Sequence, residues 1–502
     1  MLTGPDSARL WLPHTTIAML DRAAARWPGN TALVCEDDLL TYAAYHDRVM
    51  ELAGCLVARG VAGRRVGIVL RNGIDIALTL FAVQAAGGTT AALNPDYTAG
   101  ELAPILAQIE PVLMITHADL RPVIAALVPE GCAVLTIPEL REVGGASAAL
   151  PEIDPASTAV LQFTGGTTGT PKGAMLSHRA VATNVAQREA VLPTREGNER
   201  IICMMPLYHS FAAAMCLHLA AYCGGALHIL PRYRPDWLVD TIERERITRL
   251  PAGPTVFNSL LGFDGLTRQK VASLRCAYSG SAPLPHDTLA RWEAATGVPI
   301  YEGYGQSEAG PVLTYHGPGM ALKQGSVGPA LPLTELRIDG PGPLGEVLAR
   351  GPQIMDGYLG RAQETAATLQ DGWLHTGDIG RLDADGYLFI EDRKKDMAIV
   401  GGYNVYPREI DEVLSLHPAV REAGAVGVPD SYRGEVIWAF VAGDCVEEEE
   451  VLAHCAARLA KYKRPARLVV LEALPRTSVG KIDKQALKAL ARAMRAEAEH
   501  AA

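Results

Sequence analysis

None of the nine cysteines stands in a C-x-x-C spacing, and their odd number leaves one over in any disulfide framework. Reduced, mostly buried thiols are the expectation. An excess of basic residues is also missing. Lys and Arg total 46 against 56 Asp and Glu, a formal charge of −10, so there is no broad cationic face for nucleic acid, although a few local cations would still hold a nucleotide. The opening MLTGPDSARLWLPHTT lacks a basic region followed by an apolar stretch, so no secretory signal is expected and the chain is expected to be cytoplasmic. Residues 207–231 carry no formal charge and are long enough to cross a bilayer. His209, His218 and His228 interrupt the run and Gly224–Gly225 splits it, so it reads as a buried helix and a buried strand, not a transmembrane segment.

What is present is 48% hydrophobic and 20% charged, with 49 Gly and 33 Pro, the composition of a globular chain rich in turns. Its 502 residues exceed what one core can serve, so two or more domains are expected. From residue 66, strand-like runs (VGIVL, TTAAL, VLMIT) alternate with helical patterns (IDIALTLFAVQAAG, GELAPILAQIE), the signature of an α/β fold. A second alternation through IICMMPL, ALHIL, DWLVDTIERERI, TRLPAG and RCAYSG predicts two packed, parallel-type sheets with helices. After residue 340, strands and glycine turns such as GEVLARG and GYLFIEDR indicate a β-rich subdomain, and from Pro407 a smaller α/β pattern begins. The predicted organisation is a large N-terminal domain, residues 1–394, and a small α/β C-terminal domain, residues 395–502, with the boundary near Arg393 to Asp396.

The run Phe163 to Gly173, FTGGTTGTPKG, is suited to holding phosphate. Glycine admits positive φ and brings backbone N–H groups close to an anion, while threonine hydroxyls and Lys172 add donors and charge. It is not a Walker A loop, because Lys172 is preceded by Pro171 and followed by Gly173 where that motif needs Ser or Thr. TAVLQF before it and GAMLS after it read as strands, so the loop does not open a helix.

Further segments follow in order: PLYH at 206–209, SGSAPL at 279–284, EGYGQSE at 302–308, TGD at 376–378, DRKKD at 392–396 leading into GGYNVYP, and PRTSVGK ending at Lys481. Singly, each reads equally well as a turn or a solvated charge. Together they resemble the adenylate-forming superfamily of acyl-CoA synthetases, peptide-synthetase adenylation domains and beetle luciferases, closest to the acyl-CoA synthetases, over nearly the whole chain. The resemblance implies a large N-terminal domain with a mobile C-terminal one and a reaction in two steps. A carboxylate attacks the α-phosphate of ATP and releases pyrophosphate; a thiol then displaces AMP from the acyl adenylate.

The resemblance also implies roles. Thr164, Gly165, Gly166, Thr167, Thr168, Gly169 and Lys172 would hold the β- and γ-phosphates, and Glu308 would bind Mg2+, a hard ion suited to oxygen donors. Ser307 stands beside the α-phosphate where the family has Thr or Ser. Tyr304, followed by Gly305, would stack on adenine, with Gly280 and Ser281 along its other side. Asp378 would take the ribose hydroxyls, with Arg393 beside it, and Lys481 would reach the acyl carboxylate and α-phosphate. For the second step, Lys395 occupies the hinge position, and Gly401, Gly402 and Tyr403 match the segment lining the pantetheine tunnel. His209 matches the residue gating the acyl pocket.

Amino-acid-activating relatives place an Asp after the PLYH-like motif, and Tyr208, His209, Ser210 and Phe211 offer none. Ala212, Ala213, Ala214 and Ala220, with Phe257, Tyr278 and Val312 expected nearby, suit an apolar acid: a medium- or long-chain fatty acid, or an aryl acid. A short dicarboxylate would need a fixed cation in that pocket, and the sequence places none. Few residues follow Lys481, so no fused carrier domain is expected and coenzyme A is the simplest acceptor, with a separate carrier protein as the alternative. The expected partners are thus a small carboxylic acid, ATP, Mg2+ and coenzyme A, and a homodimer is allowed. A non-catalytic nucleotide sensor would have no use for Lys172, Glu308 and Lys481 together, and luciferase-like oxidation needs a particular substrate.

Overall fold

The computed structural model describes residues 11–142, 144, 148–164, 171–282, 284–394, 396–400, 403–430, 433–477 and 480–500. Two large sheets build the body. Among the described residues the first has seven strands, in the order Gly357–Tyr358, Lys172–Ser177, Thr158–Thr164, Thr89–Ala92, Arg65–Val69, Leu113–Thr116 and Ala133–Leu135. The second has eight: Thr314–Tyr315, Ile300–Tyr304, Cys276–Ser279, Arg249–Ala252, Arg200–Cys203, Ala226–Ile229, Thr31–Cys35 and Asp38–Thr41. Interior strands are parallel, as the alternation predicts. The edges are not. Thr158–Thr164 runs antiparallel to Lys172–Ser177, and Ile300–Tyr304 antiparallel to Thr314–Tyr315. Their connections are too short for the crossover that a parallel pair requires. Both reversals fall in the phosphate-loop and EGYGQSE segments.

The main core lies between these sheets. Helix Ile74–Ala85 is apolar on every side, and Ile76 to Ala85 are all buried, as expected for a helix enclosed between two layers. The helix from Ser210 to Cys223, with a π-helical stretch at Ala213–His218, shares this layer. Gly224 ends it at φ 66°, where a side chain would be strained, and Ala226–Ile229 continues as a buried strand. Residues 207–231 are therefore core, and among the described residues no helix is long and apolar enough to cross a membrane. A second core packs helices Pro235–Glu245, Pro254–Leu261 and His286–Thr296 on the outer face of the eight-stranded sheet.

A third, antiparallel sheet holds Ser326–Pro329, Tyr387–Arg393, Trp373–Leu382, Gly345–Arg350 and Glu335–Asp339. After Arg393 the chain enters the small sheet of Tyr403–Val405, Ala398–Val400, Gly434–Ala442, Glu422–Asp430 and Arg467–Val470. Helices Pro407–Ser415 and Glu448–Arg458 cover one face of it, and Lys484–His500 covers the other through Leu487 and Ala491. Helix Ile17–Arg26, strands Thr31–Cys35 and Asp38–Thr41, and helix Lys484–His500 lie outside the elements read from the sequence.

Candidate active site

The antiparallel register pairs Thr164 with Lys172 and Phe163 with Gly173, so the two strands flanking the phosphate-type run form a ribbon. Gly165, Gly166, Thr167, Thr168 and Gly169 lie outside the described residues, as do Lys395, Gly401 and Gly402. The loop's ends converge on Glu308. Thr164 Oγ1 stands 3.4 Å from Glu308 Oε1, and the Tyr358 hydroxyl donates to the same oxygen at 2.8 Å. Lys172 Nζ lies 5.3 Å from the Tyr358 ring centre. Tyr358 was not foreseen. Its strand pairs with Lys172–Ser177, and the signal in the sequence is an aromatic set between turn glycines in DGYLG.

Glu308 is positioned by a crowded turn. A Cβ on Gly305 would stand 1.9 Å from the Pro311 carbonyl oxygen, so only glycine fits there. Beyond the turn, Asn184 holds Val312 from both sides, its Nδ2 donating to the Val312 carbonyl at 2.8 Å and its Oδ1 accepting from the Val312 N–H at 3.0 Å. Ser307 Oγ is 3.3 Å from Ser210 Oγ, which joins this turn to the PLYH segment. His209 caps the following helix, its Nδ1 accepting from the Phe211 N–H at 3.3 Å. Burial, then the Lys481 charge, push the His209 imidazole down to about 4, so it is neutral at physiological pH. Gly280 abuts the Phe211 ring, and Ser281 holds a left-handed φ of 68°.

Asp378 and Arg393 are cross-strand partners, and Arg393 Nε meets Asp378 Oδ1 at 3.0 Å. The Tyr304 hydroxyl donates to the other oxygen, Oδ2, at 2.5 Å. Lys481 arrives from the small domain on a bridge between Arg476 and Ile482. Arg476 braces that turn by donating to the Gly480 carbonyl at 2.6 Å and pairing with Glu422 at 2.9 Å. Burial and then the Arg393 guanidinium push the Lys481 ammonium down to about 8, against the opposing pull of Asp378. Lys481 is therefore electrostatically joined to His209, Arg393 and Asp378. Tyr403 stands apart. It is exposed and stacked on Tyr462 at 4.5 Å between ring centres.

The residues expected around the acyl group divide. Ala212, Ala220, Tyr278 and Val312 are buried in the inter-sheet core, but Phe257 lies in the outer core against Trp292, at 5.1 Å, so it is corrected as a pocket residue. The alternation along the strands separates them: Tyr278 points inward, and the outward Ala277 faces the layer that holds Phe257. Tyr278 does not face an open wall. Its hydroxyl accepts from Arg249 Nη1 at 2.8 Å, and Arg249 and Arg188, each at most 2% exposed, lie 5.9 and 5.7 Å from its ring centre. No spacing in the sequence announces these buried arginines.

A large α/β body whose cleft receives a lysine from a small C-terminal domain, beside a carboxylate–guanidinium pair, defines an enzyme of the adenylate-forming class. The chain belongs to the AMP-binding enzyme family, which it matches over residues 20–359, with the AMP-binding enzyme C-terminal domain matched over residues 409–481. It is 34% identical to a long-chain-fatty-acid–CoA ligase of Bacillus subtilis over 95% of this chain and 94% of that one. It is also 34% identical to an indoleacetate–CoA ligase of Aromatoleum aromaticum, over 94% and 97%. The ATP-bound crystal structure of MatB from Rhodopseudomonas palustris superposes with a TM-score of 0.89 at 30% identity, covering 94% of this chain and 98% of the other.

Proposed function

We propose that this chain is an AMP-forming acid–coenzyme A ligase. The carboxylate oxygen of an acid attacks the α-phosphorus of ATP, the bond to the pyrophosphate oxygen breaks, and the thiol sulfur of coenzyme A then attacks the acyl carbon as AMP leaves. The observation that carries this reading is Lys481, a half-buried small-domain cation within electrostatic reach of Asp378, Arg393 and His209 of the large domain. Charge develops on the α-phosphate in such a reaction, and a preorganised cation stabilises it where water is excluded. A lysine depressed to about 8 stays mostly protonated at neutral pH, as that role needs.

In this reading Thr164, Lys172 and the loop glycines and threonines grip the β- and γ-phosphates. Asp378, oriented from both sides by Arg393 and Tyr304, accepts from the ribose hydroxyls. Ser307 sits by the α-phosphate, and neutral His209 faces the acyl carboxylate without adding charge. Glu308 suits Mg2+, since it is a buried carboxylate among hydroxyl oxygens; the ion when bound would neutralise phosphate charge. Tyr403, outside the Lys481 cluster, belongs with Gly401, Gly402 and the hinge Lys395 to the thioester step, after residues 395–502 turn against residues 1–394. Fatty-acid and indoleacetate ligases among the relatives favour coenzyme A as acceptor. The test is pyrophosphate release from ATP and Mg2+ across aliphatic, aryl and dicarboxylic acids, with and without coenzyme A. Release with some acid and thioester only with coenzyme A is expected; no release with any acid refutes the reading.

A further inference from the structure

Around Tyr278 the inter-sheet core holds a charged cluster that the adenylation chemistry leaves unused. Arg188 is 1% exposed, and only its Nη2 is engaged, at 3.2 Å from Glu189 Oε2. Its Nε and Nη1 have no partner among the described residues, nor has the hydroxyl of Tyr315, also 1% exposed. Tyr278 links the two, its ring 5.7 Å from the Arg188 guanidinium and edge-on to Tyr315 at 6.3 Å between centres. Unmet buried donors are costly, and more so when charged, so two nitrogens of one arginine and a neighbouring hydroxyl are held in readiness for an acceptor.

Beside this cluster lie buried Arg249 and the carboxylates of Glu199 and Glu189; Glu199 also meets Arg195 and Arg275, whose side chains are nearly half exposed. The cluster's position relative to the cleft follows from one helix. Asn184, which clamps Val312 just after Glu308, and Arg188 lie on the same face of helix His178–Val191, one turn or about 6 Å apart. Tyr278 leads directly into Ser279 and Gly280, and Gly280 abuts Phe211, two residues after His209. One helix and one strand thus tie these donors and cations to the turn that carries Glu308 and to the segment that carries His209.

We propose that Arg188 and Tyr315 receive a second carboxylate at the far end of the acid, so that the enzyme activates compact acids carrying a distal carboxylate. The inference rests on the ligase reading above and deepens it. The cation that a dicarboxylic substrate requires is supplied by a helix in the N-terminal half of the chain, far in sequence from the PLYH segment.

The test measures pyrophosphate release with length-matched pairs of acids, short aliphatic and aryl, that differ only in whether a carboxylate or a methyl group ends them. In the wild-type enzyme kcat/KM should favour the distal carboxylate about 10- to 100-fold, the worth of a buried charge-assisted hydrogen bond. The aliphatic and aryl pairs tell which body the site accepts. Tyr315→Phe, which removes one oxygen and keeps the packing, should lower that preference several-fold, mainly through KM for the acid and not for ATP. Arg188→Met should abolish or invert it. A methyl-ended acid used as well as its carboxylate partner overturns the proposal and leaves the ligase reading intact, and would mean that ordered water satisfies Arg188. Failure of every acid overturns both. Should Arg188→Met fail to fold, the wild-type pairs and Tyr315→Phe still decide.

Discussion

Replacing Lys481 by alanine should separate the two half-reactions. At about 4 Å and an effective dielectric of about 20, a unit charge stabilises an opposite one by about 4 kcal/mol, and losing one preorganised donor to a developing oxyanion costs about 10²–10³ in kcat. Adenylation should therefore fall about 10³-fold. Asp378, Arg393 and Tyr304 keep their mutual contacts without Lys481, so KM for ATP should change little. Thioester formation from a synthetic acyl adenylate and coenzyme A follows the turning of residues 395–502, which would carry Lys481 away from the phosphate, and should stay within about threefold of wild type. The wild-type pH profile gives a second reading. Burial, with Arg393 next, holds the Lys481 ammonium down to about 8, so the cation is present below that value and lost as pH rises through it. In kcat/KM, which reports the free enzyme, adenylation should decline above pH about 8. In kcat it should decline only at higher pH, because bound phosphates favour the charged lysine. ATP–pyrophosphate exchange measures the first step and thioester yield the second. Equal losses in both steps, or a flat kcat/KM through that range, would remove Lys481 from the reaction.

Tyr304→Phe deletes the donor to Asp378 Oδ2 and should raise KM for ATP about tenfold while leaving KM for the acid unchanged; an unaltered KM for ATP would detach the pair from nucleotide binding. His209→Ala should alter acyl selectivity or turnover with ATP affinity nearly intact, since the neutral ring brings no charge to the phosphates; a large loss of ATP binding, read by calorimetry, would make it structural. Glu199→Ala strips the shared carboxylate from Arg195, Arg249 and Arg275 and should cost about 3–5 kcal/mol by denaturant unfolding. Burial raises the Glu199 carboxyl, but Arg249 and Thr248 bring it down to about 2 from 4.5, so its stabilisation is present above pH 4.5 and lost as pH falls toward 2. A variant as stable as wild type, or acid unfolding unchanged by the substitution, would contradict this.

The parts of the candidate site legible in the sequence are those in which chemistry restricts residue type within a short run. Gly305 must be glycine because of Pro311, Asp378 and Arg393 face each other across adjacent strands, and Lys481 closes a turn that holds Gly480 at φ 81°. Tyr358, Arg188 and Arg249 were hidden for the opposite reason. Tyr358 meets Glu308 across 50 residues and Arg249 meets Glu199 across 50, so no local pattern records either pair. The fold followed the same division. Strands with crossover helices were readable from periodicity, whereas Thr31–Cys35 is held to Ala226–Ile229, nearly two hundred positions away. The 207–231 run was decided by Gly224 and by burial between two sheets, which hydropathy alone does not distinguish from a lipid environment.

The two hydrogen bonds of Asn184 to Val312 make helix His178–Val191 a lever between the two ends of the reacting molecule. If Arg188 receives the distal carboxylate, one end of that lever meets the acid; the other is tied to the backbone that presents Glu308 and Ser307. On that proposal an acid too long for the site would press on the helix and tilt the turn that carries Glu308, so a wrong substrate would be discriminated in turnover even where it binds. Selectivity of this kind is kinetic: it appears in kcat, and affinity measurements alone would miss it.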